Sequence, residues 1–361
     1  MSIAKSLLSK IDKGREGYNQ GFSIGLPKLE SIIDGVTQST YTLVFSGTGS
    51  GKTTYALYSY IYYPLKEHLE DGNYRASIFS LEMSEDVLYA KLLCLYMWDT
   101  YKIDLSVKEL LSRKKDYRLS DDIYNKVQTG LEWLNKVEKV IKIYDGSCNA
   151  NFLYKSLMTE LTERGQFIEE DGRKKYIPDN EELIHVVMID HMSLLRPSDG
   201  KKLKEEIDLT SSYLVTLRNI CKISPLVIMQ INRESSSMDR RKAGLNNLNL
   251  NDCRDSGNPA QDCEVAISLF NPFREELASY HGYDIKQLRD RFRSITVRKS
   301  RYGESDIEIG CFFWGHNGYF KELPRSEEIF DYSIYRTLDY DNKDEEERED
   351  KVEVKNANFV L

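Results

Sequence analysis

Residues 43–57 read LVFSGTGSGKTTYAL, an apolar strand that runs into a glycine-rich turn and then into a helix opening with Lys52 and Thr53. Glycines let such a turn wrap a phosphate chain with its backbone N–H groups, and the helix start adds the positive end of its dipole. The lysine would reach the β- and γ-phosphates, and the threonine hydroxyl would hold Mg²⁺. The stretch therefore predicts a site for ATP with Mg²⁺. Its residues are Ser46, Gly47, Thr48, Gly49, Ser50, Gly51, Lys52, Thr53 and Thr54.

The loop departs from the pattern GxxxxGK followed by Ser or Thr only at its first position, where Ser46 replaces glycine. A small residue at that position still fits a tight turn. The alternative, an ordinary glycine turn, requires the strand, the glycines, the Lys-Thr pair and the helix to coincide by chance. We therefore interpret the stretch as a phosphate-binding loop.

Short strands and helical stretches alternate along the rest of the chain, which is typical of a parallel sheet with crossover helices. The strands are almost continuously apolar, so we expect helices on both faces of the sheet. Two closely spaced strands, DIEIGCFFW and GYFKEL, share an HNG turn and predict an antiparallel C-terminal edge. The predicted fold class is α/β, a P-loop NTPase with a mostly parallel central sheet. The predicted strands are Tyr41–Phe45, Ala76–Ser80, Val140–Tyr144, Val186–Ile189, Leu226–Gln230, Val265–Phe270 and Ser294–Arg298, and the predicted helices are Lys52 to about His68, Glu85–Trp98, Asp121–Lys136, Asn151–Arg164 and Leu203–Lys222.

Three regions are expected along the chain: a short amphipathic helix in residues 1–20, an ATPase domain in residues 21–325 and an acidic tail in residues 326–361. The tail is charged and poor in aliphatic residues, so we expect it to be disordered. Residues 165–182 are polar and predict a surface insertion. The chain has a net charge of −8, of which residues 339–353 carry −6. The remainder is therefore close to neutral, and the overall acidity does not exclude DNA binding.

Several classes of protein are disfavoured by composition. No apolar run approaches the roughly 18 to 20 residues that span a bilayer, and the N-terminus lacks the features of a secretory signal. We therefore expect a cytoplasmic protein without a membrane partner. The six cysteines form no CxxC pair and the five histidines no HExxH pattern, which argues against zinc or dithiol sites. Buried free thiols are the expected state of the cysteines.

Three further strands end in polar side chains that suit nucleotide chemistry. Asp190 ends an apolar strand and fits the acid that holds the Mg²⁺ shell. Glu82 follows another strand and is a candidate to activate the attacking water, although a solvated acid near a helix start is an equal alternative. Gln230 ends a third strand and would sense the γ-phosphate, because ligands bind outside the carboxyl ends of parallel strands.

The order of these motifs resembles that of DnaB-like replicative helicases, whose motor domain has the RecA-like fold. The resemblance covers residues 21–323. Each motif alone is weak evidence, but the whole set in this order is strong evidence. The matching motifs are GLPKLE (25–30), the phosphate-binding loop, SLEM (80–83), MID (188–190), QINR (230–233), RDSG with QD (254–257 and 261–262) and KSRYG (299–303).

The resemblance assigns roles in catalysis. It implies that Glu82 is the catalytic glutamate, and that Lys299 and Arg301 are inserted by one subunit against the γ-phosphate of the next. A role of this pair in its own subunit, or as solvated cations on an edge strand, stays open. The candidate catalytic residues are Lys52, Glu82, Gln230, Lys299 and Arg301.

The resemblance also implies a loop that grips single-stranded DNA in the pore of a ring, at residues 254–257. A structural salt bridge is the alternative for Arg254. Two basic clusters, KKLK (201–204) and RRK (240–242), are additional candidates for phosphate contacts, and solvated charge is their alternative. The candidate DNA contacts are Arg254, Asp255, Gly257, Lys201, Lys202, Arg240 and Arg241.

The leading hypothesis is a homo-hexameric, ATP-driven helicase motor that moves on single-stranded DNA during replication. The resemblance implies contacts with a primase, a loader or a polymerase. We expect the family's usual helical N-terminal domain to be missing, with residues 1–20 serving as a linker helix that packs on the next subunit. The alternatives are a RecA-like recombinase and an ATP switch or scaffold that does not translocate.

Overall fold

The computed structural model describes residues 3–17, 19–170, 172–231, 248–256 and 258–336, which contain a central sheet of nine strands and two separate hairpins. Numbered along the chain, the strands are β1 (Thr42–Ser46), β2 (Tyr74–Ser80), β3 (Ile141–Tyr144), β4 (Gly165–Glu170), β5 (Arg173–Pro178), β6 (Ile184–Asp190), β7 (Ser224–Gln230), β8 (Val265–Phe270), β9 (Ser279–Tyr280), β10 (Tyr283–Asp284), β11 (Phe292–Ser300), β12 (Ile307–Trp314) and β13 (Tyr319–Glu322).

The strand order in the central sheet is β13-β12-β11-β8-β1-β7-β6-β2-β3. The six strands from β8 to β3 are parallel to one another, whereas β11, β12 and β13 extend the sheet in antiparallel fashion. This topology confirms the predicted α/β fold with its antiparallel C-terminal edge. All seven predicted strands are present, with ends that differ from the predicted ends by two residues at most.

Helices connect the parallel strands, as the alternating sequence pattern predicts. The segment from Lys52 to His68 is helical throughout, but a wider π-helical segment, Leu57–Tyr62, interrupts it. The α-helices up to β7 are α1 (Ile3–Arg15), α2 (Pro27–Ile33), α3 (Lys52–Ala56), α4 (Tyr63–His68), α5 (Glu85–Tyr101), α6 (Val107–Leu110), α7 (Asp121–Val137), α8 (Ala150–Thr162) and α9 (Leu203–Cys221). The other helical segments are Met192–Leu194, Leu250–Ser256, Pro259–Asp262, Ile285–Leu288, Arg289–Arg291, Ser326–Glu328 and Ser333–Arg336.

The sheet is buried on both faces, which explains why its strands are apolar at nearly every position. Val44 and Phe45 are neighbours in β1 and point into different hydrophobic clusters. Val44 packs with residues of α3, α4 and α5, and Phe45 packs with residues of α8 and α9. The helices therefore lie in two layers around the sheet, which confirms the arrangement expected from the sequence.

Residues 165–182, predicted as a surface insertion, lie between α8 and β6, and residues 165–178 form a regular hairpin of β4 and β5 with many exposed side chains. The rings of Phe167 and Tyr176 pack with their centroids 4.9 Å apart, and the Tyr176 hydroxyl donates to the Leu161 carbonyl at 3.0 Å. The sequence pattern did not predict these two strands, which are short and rich in charged residues.

The packed C-terminal part of the chain extends beyond the predicted domain boundary at residue 325. Residues 326–336 were expected in the disordered tail, but Ile329 and Tyr335 are buried in a cluster with Tyr283 and Phe292. Two apolar side chains are enough to hold a short segment against the body, although the composition of the segment is polar. The acidic stretch 339–353 lies outside the described residues. At the other end, the predicted N-terminal helix is present as α1.

Membrane insertion finds no support in these helices. Among the described residues, no helix combines the length and the apolar content that a bilayer crossing requires.

We predict that the thiols will resist modification in the native protein. All six cysteines are free and buried, and burial raises the pKa of Cys94, Cys148, Cys221 and Cys253 to about 12. Because the thiolate is the reactive form, a chromogenic disulfide reagent at pH 8 should label native protein slowly and denatured protein at all six positions. A rapid burst of labelling before unfolding would contradict this packing.

Candidate active site

The carboxyl ends of four parallel strands meet at one edge of the sheet. The register pairs Ser46 at the end of β1 with Gln230 at the end of β7, and Ser80 at the end of β2 with Asp190 at the end of β6. The loops that follow these strands therefore lie side by side. Glu82, two residues beyond β2, is brought to the same edge as the phosphate-binding loop.

The phosphate-binding loop has the backbone that its glycines predict. Gly49 and Gly51 have φ values of 73° and 94°, in the left-handed region where a residue with a Cβ atom is strained. Gly51 is also the residue that precedes the first turn of α3. Ser46 is fully buried, and its hydroxyl donates to the Gly47 carbonyl at 2.9 Å. The serine at the first position of the motif therefore bonds within the loop itself.

Lys52 curls into the loop, where a bound phosphate chain would be wrapped. Its Nζ donates to the Gly47 carbonyl at 2.9 Å and to the Ser46 carbonyl at 3.4 Å. Burial lowers the pKa of this lysine, while the negative charges of Asp190 and Glu82 act in the opposite direction. The ammonium is thus held among acceptors at the phosphate side of the loop.

Thr53 and Asp190 form the part of the site that suits a metal ion. The Thr53 hydroxyl donates to Asp190 Oδ2 at 2.6 Å. Asp190 is 1% exposed, and its Oδ1 atom has no hydrogen-bond partner among the described residues. Burial raises the pKa of Asp190 to about 6, so a nearby cation would favour its charged form.

The chemistry of these two side chains fits Mg²⁺. This ion prefers oxygen ligands and is commonly held by one or two protein groups together with phosphates and water. The part of the chain that the structure describes has no group of three or more His, Cys, Asp or Glu side chains that could hold a metal by themselves. The pair Thr53–Asp190 is therefore suited to an ion that arrives with a nucleotide.

Two more predicted side chains lie beside the loop. Gln230 donates from Nε2 to the Thr48 hydroxyl at 2.7 Å, so it contacts the phosphate-binding loop directly. Glu82 is exposed, and the backbone N–H of Leu81 donates to the Asp190 carbonyl at 2.7 Å, which ties the Glu82 turn to the end of β6. The charge of Glu82 raises the pKa of Asp190.

Thr54, the last predicted residue of the loop, faces the turn between β12 and β13. A Cβ atom added to Gly318 in this turn would lie 3.0 Å from the Thr54 methyl group. The antiparallel edge of the sheet therefore packs against the start of α3.

Lys299 and Arg301 do not lie at the carboxyl ends of the parallel strands, where the phosphate-binding loop is. They lie at the end of β11, which runs antiparallel to β8, and the register pairs Ser300 with Val265. Val265 in turn pairs with Thr42, at the start of β1. The phosphate-binding loop begins at the other end of β1, roughly 13 Å along the strand at about 3.3 Å per residue.

The two cations are held on the far edge by the segment that precedes β8. Lys299 Nζ donates to the carbonyls of Ala260 and Gln261 at 3.2 and 2.9 Å. Arg301 pairs with the nearly buried carboxylate of Glu264, with 3.0 Å between Nη1 and Oε1, and its side chain is 48% exposed. Glu264 also accepts from Arg218 and from the backbone of Tyr41.

The predicted DNA contacts are described only in part. Arg240, Arg241 and Gly257 lie outside the described residues. The backbone of Arg254 and Asp255 lies in the turn of helix Leu250–Ser256.

Lys201 and Lys202 are exposed in the loop that leads into α9. Buried Glu206 anchors this loop, because its carboxylate accepts from the backbone of Ser198 at 3.0 Å and from that of Ala150 at 2.7 Å. Both lysines are therefore presented on a fixed loop.

Comparison with known proteins agrees with this architecture. The model of the family described as DnaB-like helicase C terminal domain matches residues 21–322. The chain belongs to this family. Membership confirms the resemblance inferred from the motif order, and an ATPase domain of this kind implies nucleotide binding. Among curated protein sequences, none matches this chain.

Two solved structures support the same fold. The first, described as an ATPase domain, is 18% identical, with a TM-score of 0.67 over 90% of this chain and 99% of that chain. The second, a DnaB-like replicative helicase solved in a study of its interactions with primase, is 17% identical, with a TM-score of 0.66 over 90% of this chain and 69% of that chain. At such low identities, these two structures support only the fold of this DnaB-like domain.

Two basic side chains of this DnaB-like domain escaped the sequence analysis. Arg274 follows β8, and a Cβ atom added to Gly49 would lie 1.9 Å from its Nη1 atom, so the guanidinium rests on the phosphate-binding loop. Ligands bind outside the carboxyl ends of parallel strands, and β8 is one of them. The same reasoning that selected Gln230 could therefore have selected Arg274. Lys91 lies in α5, and its charge lowers the pKa of Asp190. No local pattern distinguishes this lysine from others on helices.

We predict that Lys52→Ala will weaken nucleotide binding, whereas Glu82→Gln will not. The lysine lies inside the loop, and a charged hydrogen bond contributes about 1.5–3 kcal/mol, or roughly 10- to 100-fold in Kd. Titration with a fluorescent ATP analogue measures both variants. Lys66→Ala is the control, since that lysine pairs with Asp99 on the helical layer. Equal affinities for Lys52→Ala and the unaltered chain would place the phosphates elsewhere.

Proposed function

We propose that this protein is an ATP-driven DNA helicase motor that translocates on single-stranded DNA as a homo-hexameric ring. The observation that carries the proposal is the position of Lys299 and Arg301 at the edge opposite the phosphate-binding loop. One subunit cannot bring both edges to the same phosphate without unfolding its sheet. In a ring, a heterologous interface sets this edge of one subunit against the loop of the next.

Within one subunit, the side chains at the carboxyl ends of the strands divide the work on ATP. The loop and Lys52 bind the phosphates, and Thr53 with Asp190 would hold Mg²⁺, which would neutralise charge on the phosphate oxygens. Glu82 is solvent-exposed beside Asp190 and can accept a proton from the attacking water. Gln230 senses the γ-phosphate through its contact with the loop.

Arg301 completes the site of the neighbouring subunit. A guanidinium placed against the γ-phosphate stabilises charge that develops during transfer, a contribution of about 10³- to 10⁵-fold in rate. About half of the Arg301 side chain is exposed although it pairs with Glu264. The Glu264 carboxylate can therefore orient the guanidinium while leaving its other N–H groups available to a phosphate.

DNA contact is proposed for Lys201, Lys202, Arg240 and Arg241 and for the loop of Arg254, Asp255 and Gly257. The basic side chains among them suit phosphate contacts more than base stacking, because no aromatic residues alternate with them. The 254–257 loop leads directly into the helix Pro259–Asp262, whose carbonyls accept from Lys299. DNA held by this loop would thus act on the segment that orients the catalytic cations.

Contacts with a primase, a loader or a polymerase are part of the same proposal. One structural neighbour was solved in a study of its interactions with primase. Family membership makes a comparable partner a reasonable expectation for this chain.

The test is ATPase activity with and without unstructured single-stranded DNA, alongside the native mass. We expect six chains per particle, several-fold stimulation, and binding whose log–log salt slope is about −0.7 per phosphate contact. The double variant Lys201→Ala, Lys202→Ala should make this slope shallower. The matched control is Lys174→Ala, Lys175→Ala, two exposed lysines of β5.

The outcomes separate the proposed motor from its alternatives. Glu82→Gln should abolish turnover with and without DNA, which confirms that the measured rate belongs to this site. An active ATPase that ignores DNA and binds none would instead indicate an ATP switch. Strand exchange without unwinding would indicate a recombinase.

A further inference from the structure

Arg293, at the start of β11, is the largest of the fully buried side chains in the described part of the chain, with 1% of its surface exposed. None of the roles assigned above uses it. Burying a guanidinium is unfavourable unless its charge and its N–H groups find partners. The partners that Arg293 has therefore indicate why the fold retains it.

Four hydrogen bonds and one ring hold this guanidinium. Nε donates to the Ser50 carbonyl at 2.9 Å. Nη1 donates to the carbonyls of Phe292 and Asp290 at 2.7 and 2.8 Å, and Nη2 donates to the Asp290 carboxylate at 3.3 Å. The plane also lies over the ring of Phe313, with 4.4 Å between Cζ and the ring centroid. The planar fork of arginine suits such a set, and lysine cannot reproduce it.

The bond to Ser50 connects this group to the phosphate-binding loop. The carbonyl of Ser50 and the N–H of Gly51 belong to one planar trans peptide and point in opposite directions. Fixing the carbonyl on the Arg293 side therefore directs the Gly51 N–H away from Arg293. Phe313 supports the same peptide, because a Cβ atom added to Gly51 would lie 3.6 Å from its ring.

Asp290 extends the connection to a second segment of the site. Its carboxylate accepts from Asn271 Nδ2 at 2.7 Å, and Asn271 Oδ1 accepts from the backbone N–H of Arg274 at 3.4 Å. The guanidinium of Arg274 rests on Gly49. Burial lowers the pKa of Arg293 to about 10, so the group stays charged at neutral pH.

We propose that Arg293 is a positioning residue for nucleotide binding, which holds the Ser50–Gly51 peptide of the phosphate-binding loop in its phosphate-binding orientation. The inference rests on the proposed function of that loop and adds a residue that neither contacts a phosphate nor belongs to the motif. It acts through the loop backbone.

The test compares nucleotide affinity in Arg293→Met, Arg293→Lys and the unaltered chain, by titration with a fluorescent ATP analogue in Mg²⁺. We expect Kd to rise about tenfold in the methionine variant and less in the lysine variant, since an ammonium keeps the charge and some donors but not the planar fork of arginine. Arg298→Met is the matched control. It removes an arginine of the same strand that bonds to Ser268 and Asp306, and Kd should not change.

Melting temperatures with and without the nucleotide separate positioning from a structural role. A ligand stabilises the folded state according to its affinity, so the nucleotide-induced shift should shrink in Arg293→Met and remain in Arg298→Met. A lower melting temperature with an unchanged nucleotide-induced shift and an unchanged Kd would overturn the inference.

A second variant keeps the test decisive if Arg293→Met does not fold. Asp290→Ala removes a carboxylate whose side chain is 55% exposed, and it should weaken nucleotide binding a few-fold because Arg293 loses one partner. Unchanged affinity in Asp290→Ala and in Arg293→Lys would then overturn the inference. Failure of the unaltered chain to bind any nucleotide would overturn the proposed function, and this inference with it.

Discussion

The hydrogen bond between Thr53 and Asp190 joins the first turn of α3 to the end of β6, although β7 lies between β6 and β1. The parallel register allows this contact, because Ser46 pairs with Gln230 and Ile189 pairs with Val227, so β1, β7 and β6 end within about two residues of one another. Parallel strands that end together also place Glu82 at this edge. The chemistry of the site thus depends on strand register more than on any single loop.

The antiparallel strand β11 carries functional side chains at both ends of the sheet, where the parallel strands end and where they begin. Its first residues include Arg293, which holds the phosphate-binding loop of its own subunit. At its other end lie Lys299 and Arg301, on the edge where the parallel strands begin. One strand therefore reaches from a subunit's own nucleotide site to the surface that the proposed ring interface would use. This geometry offers a physical route by which neighbouring sites can influence each other.

Sequence alone predicted what depends on local pattern. Lys52, Asp190 and Gln230 follow apolar strands, and the rule that parallel strands end at one edge brings them together. The location of Arg301 required the direction of β11 in the folded sheet, which the motif does not contain. Arg293 could not be found, because its function comes from contact with Ser50, 243 residues away in the chain. Ile329 and Tyr335 were missed since their segment has the composition of a tail.

The central claim is that two subunits complete each catalytic site, and mixing two inactive variants tests it most directly. Lys52→Ala removes the lysine of the phosphate-binding loop, and Arg301→Ala removes the arginine at the opposite end of the sheet. Rings made of either variant alone should therefore hydrolyse ATP poorly. Rings assembled from both contain some interfaces in which an intact Lys52 faces an intact Arg301. We expect ATPase activity to return in the mixture as subunits exchange. A mixture of exchanged rings no more active than either parent would contradict it.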